Sequence, residues 1–101
     1  MKTFAEIQQE TRTVQYNFLI ADLATGNTFL DVACTTHNPT TRARNIENAR
    51  VAYTTVARFG GRLVMSLEQE SVFRPRLYAL GERLRELNDE ATYTRRPFSA
   101  S

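Results

Sequence analysis

Apolar residues recur at steps of three and four residues in three separate stretches of this sequence. The clearest stretch is RNIENARVAYTTVARFGG, residues 44–61, where the apolar positions fall on one side of a helix. They are Ile46, Ala49, Tyr53 and Val56. Asn38 as N-cap and Pro39 as first helical residue predict a helix from Pro39 to Phe59. The glycines at 60–61 predict its end, with one of them in the left-handed conformation.

The longest apolar pattern runs from Phe4 to about Thr36 and predicts one long N-terminal helix. It contains two neighbouring stripes. The first comprises Phe4, Ile7, Thr11, Val14, Phe18, Ala21, Thr25 and Val32, and the second comprises Tyr16, Ile20, Leu23, Asn27, Leu30 and Cys34. So wide an apolar arc predicts a central helix that is touched on two sides. Gly26 leaves open a kink, or a turn at TGNTF between two shorter helices, and it allows another backbone to approach closely.

A third pattern predicts a C-terminal helix. Ser66 followed by Gln69 is a capping-box signature, which places the start of the helix at Ser66. The apolar positions then form a heptad-like seam of Phe73, Leu77, Leu80, Leu84 and Leu87. Pro75 predicts a kink or a fresh start, because proline removes one backbone hydrogen bond. No apolar period follows the seam, so we expect one helical domain over 1–88 and a loose tail over 89–101.

Three amphipathic helices joined by short links predict an all-α fold, an antiparallel three-helix bundle. Strand signals are nearly absent, since GGRLVMS at 60–66 is the only short run of β-like composition. The chain of 101 residues holds only four Gly and three Pro, which favours helices over a turn-rich β fold.

Part of the chain resembles a tetratricopeptide-type (TPR-like) helical hairpin. In NIENARVAYTTVAR, the small, aromatic and small residues Ala49, Tyr53 and Ala57 have the spacing of the second helix of such a hairpin. Upstream, LATGNTF is similar to the first helix, in which a leucine and a glycine precede an aromatic residue. The corresponding residues here are Leu23, Gly26 and Phe29. The resemblance covers less than half of the chain and implies protein–protein interaction.

The sequence provides few groups for catalysis or for holding a cofactor. His37 is the only histidine and Cys34 the only cysteine. A metal site or a nucleophile pair built on these two residues would lack a further ligand or an orienting group. We expect Cys34 to be a small buried residue instead. Because the phosphate-binding patterns GxGxxG and GxxxxGK[ST] are also absent, we expect no enzymatic activity, no metal and no cofactor.

Arginine dominates the basic residues, but the formal net charge is only +2. Arg42 and Arg44 follow the start of the second predicted helix, where free N–H groups favour anions. We therefore treat these two arginines as candidate contacts for an anion or a partner, and ordinary solvated first-turn residues are the alternative reading. Nucleic-acid binding would use the arginines of the second helix, which are Arg42, Arg44, Arg50 and Arg58.

These features favour a non-catalytic helical protein-interaction module, and nucleic-acid binding is the alternative. The apolar surface exceeds what a bundle of this length covers comfortably, so the partner is another protein or a second copy in a homo-oligomer. No segment approaches the ~20 apolar residues of a membrane span. The start, MKTFAEIQQE, lacks the apolar run of a signal peptide. With a single cysteine, this favours the cytoplasm and no membrane partner.

Overall fold

A computed structural model describes the backbone of residues 1–95 and the side chains of residues 1–88. It contains three helices, which are α1 (Phe4–Thr35), α2 (Pro39–Gly60) and α3 (Leu67–Arg95). No strand occurs between residues 1 and 95. The fold is therefore the predicted all-α three-helix bundle.

Contacts between helices define the direction of each. After a short link, α2 returns antiparallel to α1, and α3 then runs in the same direction as α1. Near the start of α3, the Tyr16 hydroxyl donates a hydrogen bond to the Gln69 carbonyl at 3.4 Å. Further along, the Arg83 guanidinium donates to Asn27 Oδ1 and to Asp31 Oδ1, each at 2.9 Å. These polar contacts fix α3 against α1 at two separate levels.

The predicted caps at the starts of α2 and α3 are both confirmed. Asn38 Oδ1 accepts hydrogen bonds from the backbone N–H groups of Thr40 and Thr41, at 2.9 and 3.0 Å. Ser66 and Gln69 bond reciprocally, each side chain accepting from the other's backbone N–H at 3.0 Å. Each cap satisfies N–H groups that have no partner inside the helix.

The core lies where the three helices meet. Its buried apolar residues are Leu19, Leu23, Leu30, Ala33, Ala49, Val56, Phe73, Leu80 and Leu84. The apolar positions predicted for α2 and α3 are buried in it or packed against it. On α1, by contrast, the first predicted stripe contributes nothing to the core, and the second contributes only part.

Helix α1 continues through Gly26 without a break. Gly26 is buried, and a Cβ atom there would lie 2.9 Å from Leu80 Cδ2 and 3.6 Å from Ala52 Cβ. Ala52 belongs to α2 and Leu80 to α3. The glycine is therefore a point on α1 that both other helices approach closely, in line with the close approach that the sequence suggested.

The end of α2 differs from the prediction. The helix includes Gly60, and its C-cap Gly61 has φ −69° and ψ −19°, which is a right-handed helical conformation. The prediction of a left-handed glycine at 60–61 is therefore wrong. Packing explains Gly60 instead, because a Cβ there would lie 2.8 Å from Cε2 of the Phe73 ring. Phe73 is buried, so the absence of a side chain at position 60 gives its ring room.

Helix α3 runs through Pro75 with no fresh start. Proline deprives the Ser71 carbonyl of its helical donor. Ser71 and Pro75 are both exposed, so water can satisfy this carbonyl at little cost. The helix also continues to Arg95, into the segment expected to be a loose tail, and the rest of that predicted tail, 96–101, lies outside the described residues.

Replacing Gly26 with valine should destabilise the fold by about 2 kcal/mol or more, because the new side chain overlaps Leu80 in a closely packed core. Helix propensity cannot account for such a loss, since valine is a better helix former than glycine. Ala24→Val is the matched control, because Ala24 is exposed on the same helix. Urea unfolding would measure both, and equal stability of the two variants would contradict this account of Gly26.

Candidate interaction surface

Helix α1 presents two distinct faces. The inner face, which is buried, consists of Leu19, Leu23, Gly26, Leu30 and Ala33. The first predicted stripe, here called the outer stripe, consists of Phe4, Ile7, Thr11, Val14, Phe18, Ala21, Thr25 and Val32, and every one of these residues is exposed. Phe18 and Leu19 are neighbours, so their directions differ by about 100° around the helix. That rotation separates a solvent-facing phenylalanine from a buried leucine.

The outer stripe has the spacing of a coiled-coil seam. Its members alternate in steps of three and four from Phe4 to Thr25, which is the heptad pattern by which one helix packs on another. Phe4 is 74% exposed and Phe18 is 66% exposed, so neither aromatic ring is covered within the chain. The sequence thus specifies a packing face that α2 and α3 do not use.

Threonines on the outer stripe need no outside hydrogen-bond partner. The Thr11 hydroxyl donates to the Ile7 carbonyl and the Thr25 hydroxyl to the Ala21 carbonyl, each at 3.0 Å. Because each hydroxyl is bonded within the helix, covering these threonines costs less than burying a free hydroxyl would. The polar positions of the stripe are therefore compatible with an apolar contact.

An apolar groove of about 570 Å³ borders the outer stripe, where α1 meets the end of α2. Val14 and Phe18 form its α1 wall, and Phe59 and Leu63 form the opposite wall. Phe59 is 51% exposed, which leaves much of its ring open to this groove. Gln15, Thr55, Asp22 and Arg62 add polar groups to the lining. An apolar groove with polar groups at its edge is typical of a helix-binding surface.

The first turns of α1 extend past the rest of the bundle. Every side chain in residues 1–15 is exposed. We call residues 4–15 the overhang. The Thr3 side chain caps it by accepting from the Glu6 N–H, and Lys2 pairs with Glu10 at 2.6 Å. These contacts are local, so the overhang has helical structure but no core of its own.

Arg42 and Arg44 occupy different environments. The Arg42 Nε donates to the Ala33 carbonyl at 3.2 Å, and its Nη2 donates to the Thr36 carbonyl at 3.1 Å. Arg42 thus holds the carbonyl end of α1, where a cation is favoured. Arg44 is exposed, and no ion pair of it occurs within residues 1–88. Anion binding by these two arginines stays a prediction.

Another arginine of α2 has an acidic partner. Arg50 pairs with Glu47 on the same helix. Arg42 and Arg44 are two residues apart, so they point to different sides of the helix. Nucleic-acid binding normally uses a clustered basic surface, and binding through the arginines of α2 stays a prediction.

Cys34 is exposed, so the expectation that it is buried is wrong. Its neighbour Ala33 takes the buried position at the end of the inner face. His37 is also exposed and lies in the link before α2. Within the described residues, no group of three or more His, Cys, Asp or Glu side chains is placed to hold a metal ion.

None of the described helices combines the length and the apolar character needed to cross a membrane.

Comparisons with protein-family models, curated proteins and solved structures found no match to this chain. The resemblance to a TPR-like hairpin therefore stays a prediction.

Sequence reasoning found the outer stripe but missed the groove beside it. The sequence pattern identifies Phe59 only as the last residue of its helix, and Leu63 only as part of GGRLVMS, the short run of β-like composition. A weak signal existed, since Phe59 follows Val56 by three residues and so lies near the same face of α2. How far α2 is rotated against α1 decides whether Phe59 is buried, and spacing within one helix does not specify this rotation.

Neighbouring substitutions on α1 should separate its two faces. Leu19→Ala should destabilise the fold by about 2–4 kcal/mol, because it removes a buried side chain from the core. Phe18→Ala should change stability by no more than about 0.5 kcal/mol, because Phe18 is exposed. Urea unfolding would measure the stability of both variants. The lowest workable protein concentration should be used, because association then contributes least to the measured free energy of unfolding. A larger loss at Phe18 than at Leu19 would reverse the assignment of the faces.

Proposed function

We propose that this chain is a non-catalytic helical interaction module, which binds a protein partner or another copy of itself through the outer stripe of α1. The observation that carries the proposal is the exposed heptad spacing from Phe4 to Thr25. A helix that only packed on its own bundle would need one apolar face, and α1 has two.

The size of the exposed apolar surface supports binding. A whole aromatic side chain has about 200 Å² of surface. On that scale, on the order of 500 Å² of apolar side chain is in contact with water at five residues, which are Phe4, Ile7, Val14, Phe18 and Phe59. The largest apolar patch on a monomeric protein is usually about 300–600 Å², and such patches are often functional. The stripe and groove therefore have the area of an interaction site.

The same reasoning favours binding over catalysis and over nucleic-acid recognition. The surface is lined by aromatic and aliphatic side chains, and Arg62 is the one basic residue in the groove lining within the described part of the chain. A nucleic-acid interface would need more positive charge there. The TPR-like resemblance around Tyr53 adds to the interaction reading. We propose a cytoplasmic location as well, since a single exposed thiol at Cys34 suits a reducing compartment.

Site-specific photo-crosslinking in cells tests the proposal. A benzophenone amino acid at Phe18 should yield discrete protein adducts, because a partner would cover this residue. The matched control carries the probe at Tyr78, which is 69% exposed on α3 and lies outside the stripe and groove. We expect several-fold more adduct at Phe18 than at Tyr78. Equal yields at the two positions would contradict a role for the outer stripe in binding.

A further inference from the structure

Only local contacts stabilise the overhang. It spans twelve residues, 4–15, whose side chains are all exposed. It continues the helix of residues 16–35 and so needs no nucleation of its own, but most helical stability in proteins comes from packing an apolar face, and no side chain of the overhang is buried. Thr11 and Thr13 weaken it further, because both have low helix propensity and bond back to carbonyls four residues earlier. An external surface that covered its apolar side chains would therefore stabilise the overhang.

The groove at Val14, Phe18 and Phe59 is such a surface, and it begins beside the last turn of the overhang on the same outer stripe. The overhang and the groove are on one continuous face of each molecule. A two-fold axis perpendicular to α1 would place each overhang in the groove of the other copy, closing the assembly with two identical contacts. We propose that the partner of the outer stripe is a second copy of this chain, paired antiparallel in this way. This inference rests on the proposed function.

The spacing of large and small residues supports one register for the pair. With the axis between residues 12 and 13, Ile7 of one copy lies opposite Phe18 of the second copy. Thr11 then lies opposite Val14 and the bulky Phe4 opposite the small Ala21. Large side chains thus meet smaller ones, which is how knobs-into-holes packing fills space.

Charge is compatible with this register. Antiparallel helices bring the same flank of each together, so Glu10 lies opposite Asn17, and Gln8 lies opposite Gln15. No like charges are opposed at these flanking positions.

The antiparallel orientation of the pair is also compatible with the position of α2. Asp22 of α1 and Phe59 of α2 share the groove, so α2 borders one flank of the stripe from about Val14 onwards. In the antiparallel pair, the second copy's α2 borders that flank over the overhang, where the first copy has no α2. The two α2 helices therefore do not collide. In a parallel pair both overhangs would meet each other and both grooves would stay empty.

The area is adequate for a specific dimer. About 500 Å² of apolar side chain per copy gives on the order of 1,000 Å² for the pair. The flanking glutamines, Ala21 and Asn17 add to this, which brings the contact towards the 1,200–2,000 Å² of a standard stable interface.

Sedimentation velocity over a concentration series tests the inference on the full chain. We expect a monomer–dimer equilibrium in which Phe18→Asp or Ile7→Asp weakens association at least about thirty-fold, since each would bury a charge in the interface. Tyr78→Asp, a control of matching exposure on α3, should associate normally. Circular dichroism would verify that each variant keeps the helical content of the parent. A dimer that the stripe variants leave intact would refute the inference.

Disulfide formation tests the orientation. In a Cys34→Ser background, a mixture of Ile7→Cys and Phe18→Cys chains should form the mixed disulfide dimer, and either chain alone should form far less. An efficient Ile7→Cys homodimer would show a parallel pair and overturn the proposal. A parent chain that stays monomeric at the highest soluble concentration would also overturn it. If the chain is monomeric but the probe at Phe18 crosslinks to other proteins, the proposed function stands and only the dimer is excluded. If the crosslinking yields at Phe18 and Tyr78 are equal, both the dimer and the proposed function are excluded.

Discussion

The close approach of Leu80 and Ala52 to Gly26 determines how this molecule uses its longest helix. It brings α2 and α3 close to α1 on one side, the side that also carries Leu23 and Leu30. Because two helices cannot surround a third, the opposite side of α1 is left open. The outer stripe occupies that open side, so its exposure is a consequence of the packing at Gly26. The core and the candidate interaction surface therefore both follow from one arrangement of the helices.

Much of this could be predicted from the sequence, because it depends on local chemistry. The caps at Asn38 and Ser66 involve residues three or fewer positions apart, and the apolar face of α3 follows from spacing alone. Rotations between helices could not be predicted in the same way. Cys34 and Ala33 are adjacent small residues, and only the packing of α1 decides which of them is buried. Gly60 likewise looked like a left-handed terminator, whereas the ring of Phe73 gives the reason for it.

The same distinction between local patterns and rotations of whole helices applies to the candidate site. The outer stripe was visible as a heptad spacing, but the sequence did not reveal that it faces solvent over its whole length. The contribution of Phe59 depends on the rotation of α2, which lies beyond any single-helix pattern. The position of Arg42 near a helix start makes it a candidate anion contact, yet its guanidinium group binds the carbonyl end of α1 through Ala33 and Thr36. Charge near a helix end therefore has a structural use here that competes with ligand binding.

The central claim is that the overhang depends on a surface supplied by another molecule. Amide hydrogen exchange of residues 4–15, measured over a range of protein concentrations, tests this most directly. Our account predicts that protection of the overhang rises with concentration, while protection of the buried segment around Leu23 and Leu30 stays constant, because only the overhang gains contacts on association. Overhang protection that does not change with concentration would contradict it.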